Sequence, residues 1–273
     1  MKTSIARFDS WEAFLAAACV VSYQGDDGGH TEGREKFYGT PSFEAALKVA
    51  REGWPEGVEK VQQIRATIGS AVQSLASSRA ESIGYDVFGE YVDVGRFLCG
   101  EPECFGVRVS DDSNSKRVVR INVNLGVSGS VSHEAIFARG AVVIAAIDVI
   151  ESAGVRVEVY GVHGSLKCDK KKLHETHVLL KTASQPLDID RLVFALCHPS
   201  SVRRLSFSVF EKYGLRAGYS YPHEVRVEEG ITTRPARRGL DFTKQELLDE
   251  IKWICEQAGI DIPQEEVDAL AAL

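Results

Sequence analysis

The chain has one methionine, at position 1, and eight prolines in 273 residues, so it holds neither a Met-rich adaptable surface nor a proline-rich spacer. Positive charge is in short supply: 32 Lys and Arg face 39 Asp and Glu, for a formal net charge of −7. That excludes binding to nucleic acid by general charge attraction and leaves room only for a local basic patch. No apolar run is long enough to span a bilayer, and Met1 to Asp9 contains no continuous apolar segment, so no membrane contact is expected and a cytoplasmic location is. The six cysteines stand scattered at positions 19, 99, 104, 168, 197 and 255, which predicts free thiols rather than a disulfide framework. Internal repeats, a Walker-type phosphate loop, a nucleophile elbow and a His-x-x-x-His pair are all missing. These absences move the expectation from catalysis towards binding or scaffolding.

What is there is apolar patterning. Hydrophobic residues make up 44% of the chain, enough for one large core or two smaller ones. The most ordered pattern runs from Arg117 to Gly164. A β-rich stretch ending in Asn122-Val123-Asn124-Leu125 leads into the small-residue turn Gly126-Val127-Ser128-Gly129-Ser130-Val131-Ser132. A run from Ala135 to Ile150 that is too apolar for a surface helix follows, and then a second β-rich stretch, Val155 to Tyr160. Strand, turn, helix and strand predict a βαβ unit with parallel strands and a right-handed crossover. Ser132 is placed to cap the helix, whose amino end then faces the turn.

The fold class expected is α/β: a mainly parallel sheet with an antiparallel edge hairpin, helices on both faces, an N-terminal helical region and C-terminal helices. The hairpin is read from Val155 through a lysine-rich tip to Lys181. The domains are drawn as a mainly helical region over 1–110, an α/β core over 111–230, and a linker with terminal helices over 231–273, the first opened by a capping box at Thr243 and ended by Gly259, the second running from Ile260 to Leu273.

Val127-Ser128-Gly129-Ser130-Val131-Ser132, between a β-branched strand and an apolar helix, resembles the first motif of von Willebrand factor A-type domains. In that family Asp-x-Ser-x-Ser holds a divalent cation in a metal-ion-dependent adhesion site. The resemblance puts the two hydroxyls at Ser128 and Ser130, but Gly126 takes the place of the aspartate, which implies a degenerate site, and no cofactor is expected. Asn124, Asp188 and Asp190 are the residues that would replace the lost oxygen ligand, and Ser132 completes the candidate ligand-binding set. As a whole the chain also resembles uncharacterised proteins of tailed phages and prophages.

The leading expectation is a non-catalytic protein-interaction or scaffolding module that binds another protein, or a second copy of itself, through the Ser/Gly turn. The alternative is a nucleic-acid binder using Arg203, Arg204, Arg234, Arg237 and Arg238, the one concentration of positive charge, with Tyr213, Tyr219 and Tyr221 between. A further alternative is a metal-dependent hydrolase built on Asp188, Asp190 and the serines. Cys99, Cys104, Cys168, His174 and His177 would be zinc ligands if the fold united them.

Overall fold

The computed structural model describes residues 2–21, 28–78, 82–89, 91–109, 117–167, 172–215, 220–223, 225, 227–236, 244–262 and 264. Arg237, Arg238, Thr243, Tyr219, Cys168 and the 110–116 loop lie outside that set. The chain opens with strand β1 (Lys2–Phe8) and helices α1 (Trp11–Ala18), α2 (Glu35–Tyr38), α3 (Phe43–Glu52) and α4 (Pro55–Ser78). Strands β2 (Ser82–Asp86) and β3 (Tyr91–Val92), helix α5 (Val94–Leu98) and strand β4 (Phe105–Val109) follow. The central unit is β5 (Val118–Asn124), α6 (His133–Ser152), β6 (Arg156–Lys167) and β7 (Lys172–Lys181). Helix α7 (Ile189–Cys197), a π-helical turn Ser201–Ser206, α8 (Phe207–Lys212), strands β8 (Ser220–His223) and β9 (Ile231–Thr232) and helix α9 (Lys244–Gln257) complete it.

β5 and β6 pair in parallel from Val118 beside Arg156 to Asn124 beside Val162, with α6 as the crossover, as the apolar periodicity predicts. β6 turns back antiparallel into β7, and the main sheet runs β1-β7-β6-β5-β9. Three of its pairings are parallel, β1 with β7, β5 with β6 and β5 with β9, so the α/β class with a mainly parallel sheet holds. β1 pairs along its whole length with β7, so the sheet draws on both sides of the boundary placed at residue 110. The β2-β4-β3 sheet is separate, small and antiparallel.

α6 is the organising helix. Ser132 Oγ accepts from the Ala135 N–H at 3.1 Å, and Gly154 at φ 81° turns the chain out of its far end. Ile136, Ile144, Ile147 and Ile150 are all 1% exposed or less. They form one continuous cluster with Ile121, Val123, Val157 and Val159 of the sheet and with side chains of α1, α7 and α9. Burying each large aliphatic side chain stabilises the fold by about 1.5–3 kcal/mol. On the alternate positions of β5, Arg120 instead pairs with Glu158 and Glu229, each at 2.8 Å, and Asn122 donates to the Glu229 carbonyl.

Gly140 sets how closely α6 and α7 approach. A methyl there would stand 2.5 Å from both Cys197 Sγ and the Leu196 carbonyl oxygen. In a free helix Gly→Ala stabilises by up to about 1 kcal/mol. Here the clash is with backbone that cannot swing aside, so Gly140→Ala is expected to destabilise by about 1–3 kcal/mol. Urea unfolding followed by tryptophan fluorescence checks the sign.

Candidate functional site at the carboxyl end of strand β5

β5 leaves the sheet at Leu125, whose N–H still reaches the Val162 carbonyl, and from Gly164 onward β8 takes its place beside β6. This edge is the carboxyl end of a parallel strand, the end at which open α/β sheets bind ligands.

The serine turn stands on one side of that end. Ser128, Gly129 and Ser130 are exposed, and the Ser128 and Ser130 hydroxyls hydrogen-bond each other at 3.1 Å. Ser132 is spent as the α6 cap. At the aspartate position of the resembled motif, the buried Gly126 donates its N–H to Asn124 Oδ1 at 3.1 Å. Asn124 is fully buried, so it braces the turn from below rather than reaching a ligand beside the serines.

Asp188 and Asp190 do not join this turn. β7 is antiparallel to β6, so its end at Lys181 lies beside Val159, nearer the start of β5, and the acids follow it there. Asp188 caps α7 by accepting from the Arg191 N–H at 3.2 Å, and both acids are exposed at a depression shared with Trp11, Glu12 and Arg51. The hydrolase set assembled from the sequence is therefore two separate sets. Among the described residues, no three His, Cys, Asp or Glu side chains gather as a metal site. His174 instead bonds Ser4 at 2.8 Å and stacks on Tyr213.

The basic cluster is corrected in the same way. Arg203 and Arg204 are 2% and 0% exposed. Arg203 donates from Nη1 to the Phe37 carbonyl at 2.8 Å and from Nη2 to the Val131 carbonyl at 2.6 Å, pinning the serine turn to α2. Arg204 serves the carbonyls of Gly29, Thr31, Gly33 and Thr40. Guanidinium groups buried this fully and turned to carbonyls inside the protein are out of reach of a phosphate backbone, so neither residue is a nucleic-acid contact. Arg234 alone of the described arginines in that set is exposed, over the Trp253 ring at 5.2 Å and 3.8 Å from Glu250.

The residue that sequence reading passed over is Arg139. It lies on α6 just before the uncharged stretch Ala141–Ile147 and is 4% exposed. Its Nη1 donates to the Asn124 carbonyl at 2.6 Å, while Nε and Nη2 have no protein partner. Burial lowers its pKa to about 10. Arg139 lines a cavity of about 430 Å³ with Val142, Val143, Thr233, Pro235 and Trp253. The only sequence signal for it was an arginine set against the uncharged middle of the helix.

Residues 2–239 match the family described as a domain of unknown function, DUF7192. The chain belongs to the DUF7192 family. No curated protein and no solved structure matches it. The match runs from β1 past β9, so it takes in the serine turn, Arg139 and the small sheet, whereas α9 begins beyond it. Among the described residues, no helix is long and apolar enough to cross a membrane.

Proposed function

We propose that this DUF7192 chain is a non-catalytic, cytoplasmic protein-interaction module, built on a von Willebrand A-like unit whose metal site is degenerate. The strand order around β5, with β6 and β7 on one side and β9 on the other, and the exposed Ser128/Ser130 turn at its carboxyl end support that likeness. Gly126 in the carboxylate position supports the degenerate site.

The observation that carries the interaction reading is the surface of the small sheet. Of the twelve most exposed large apolar side chains among the described residues, seven fall within residues 87–98, so exposure is concentrated in one patch. Phe88 and Leu98 are 80% and 78% exposed. The backbone beneath them is held in place: Asp93 caps α5 through the Gly95 and Arg96 N–H groups and accepts from the Tyr85 hydroxyl at 3.0 Å. Arg96 lies over the Tyr85 ring at 3.9 Å and pairs with Glu101. An apolar surface facing water favours burial against another protein, or against a second copy of the chain.

Sedimentation velocity from micromolar to several hundred micromolar protein tests this, together with a photo-crosslinker at Phe97 in extract of cells that express the chain. Self-association or a protein adduct is expected, lost in the Phe88→Ser/Leu98→Ser variant and retained in Ser128→Ala/Ser130→Ala. Loss in the serine variant instead moves the contact to the turn. A monomer throughout with no adduct sinks the reading.

A further inference from the structure

We propose that the cavity between α6, α9 and residues 233–235 after β9 binds a small monocarboxylate with an apolar body, with Arg139 as the residue that holds the carboxylate. The proposal does not depend on the small-sheet surface.

The geometry of the guanidinium specifies the ligand group. Nη1 is committed to the Asn124 carbonyl, and the two nitrogens without a protein partner are Nε and Nη2. Those two N–H bonds point to the same side of the planar group, as a fork that matches the two oxygens of a carboxylate. Asn124 Nδ2, on the residue that Arg139 already contacts, is a third buried donor without a protein partner. Glu250 lines the same cavity yet makes no ion pair with Arg139 among the described residues. A fully buried cation with two N–H groups unpaired and only a through-space attraction to Glu250 is disfavoured, and a bound carboxylate would supply the missing acceptors. Burial away from water lowers the Arg139 pKa to about 10, and Glu250 offsets that only in part.

The rest of the lining narrows the ligand further. Val142, Val143, Pro235 and Trp253 make apolar walls, which suits a hydrocarbon or aromatic body. Asp249 and Glu250 of α9 also line the cavity, facing Arg234. Those two carboxylates disfavour phosphates and polyanions, whereas a single negative charge can be aimed at Arg139.

Benzoate is the probe, with inorganic phosphate as the control, read by thermal shift and isothermal titration on the full chain. Saturable benzoate binding with a raised melting temperature is expected in the wild type. Arg139→Lys keeps the charge but loses the fork, and should weaken binding by about tenfold or more. Glu250→Gln removes a like charge from the cavity and should tighten it several-fold, which keeps the test decisive if the Arg139 variant does not fold. The proposal is overturned by no saturable benzoate binding to wild type and Glu250→Gln, by equal affinity in a folded Arg139→Lys, or by phosphate binding in preference.

Discussion

Acidification from pH 6.5 to 4 is expected to unfold the protein, driven by three histidines that the fold keeps neutral. His163, His174 and His198 are 4%, 1% and 7% exposed. Burial lowers His163 to about 3, helped by its coupling to His174 and by the charge of Arg139, and lowers His174 and His198 each to about 4. The unfolded chain takes up protons near the ordinary value of 6.5 and the folded chain resists them, so stability is fully present above 6.5 and is lost as the pH falls towards 4. Each such group costs roughly 1.4 kcal/mol per pH unit in that window, about 4 for the three together. Two units therefore remove roughly 8 kcal/mol, comparable with the whole stability of an ordinary domain. His198 shows the local reason. Its Nδ1 accepts the Ser200 N–H at 3.1 Å while the ring is stacked on Phe194, so protonation at Nδ1 removes an acceptor as well as charging an apolar site. Urea unfolding at steps between pH 6.5 and 4 should show the midpoint collapsing. His163→Met, which places an apolar chain against Phe210, should take about a third off the slope. A stability that stays flat over this window, or an unchanged slope in the variant, contradicts the assignment.

The central unit was legible because its signals are local. β-branched residues of β5, the Ser132 cap and a long apolar run each point the same way, and the parallel pairing of β5 with β6 follows from the helical crossover. β1 was not legible for the opposite reason. Lys2–Phe8 alternates weakly, and what makes it a strand is a β7 partner about 170 residues away.

The arginines misled in one direction and escaped notice in the other. Charge in a sequence argues for the surface, yet Arg203 and Arg204 sit on a π-helical turn packed under α2 and α3, where loop carbonyls from residues 29–40 need donors. Nothing in the spacing of Arg203 and Arg204 announces those acceptors. Arg139 was hidden by its neighbours, since the long uncharged stretch Ala141–Ile147 draws attention to the core and away from the arginine beside it. The expected union of Asp188 and Asp190 with the serines failed on direction alone. A strand that turns back in a hairpin delivers the residues after it to the other end of the sheet.

Arg204→Met is expected to be among the most damaging single changes outside the core. Arg204 donates from Nε to Thr40 Oγ1 at 2.9 Å, from Nη1 to the Thr31 carbonyl at 2.6 Å, and from Nη2 to the Thr40 carbonyl at 2.7 Å. Its plane also lies 4.4 Å from the centre of the Tyr38 ring. Methionine fills much of the volume and supplies no donor, so several buried carbonyls lose their partner at once, for a cost of roughly 3–5 kcal/mol. Arg204→Lys separates charge from geometry: lysine keeps the cation but offers three donors from one point, so it should recover only part of the loss. The effect has to reach the serine turn as well. Arg203, one residue earlier on the same π-helical turn, is what ties Val131 to Phe37, and a loosened 29–40 segment takes α2 with it. Hydrogen exchange in Arg204→Met should therefore rise at residues 29–40 and at 128–131 together, with the β5–β6 pairing still protected. Faster exchange confined to residues 29–40 would show that the turn is held by α6 alone, and a loss below about 1 kcal/mol would mean that water replaces the guanidinium without penalty.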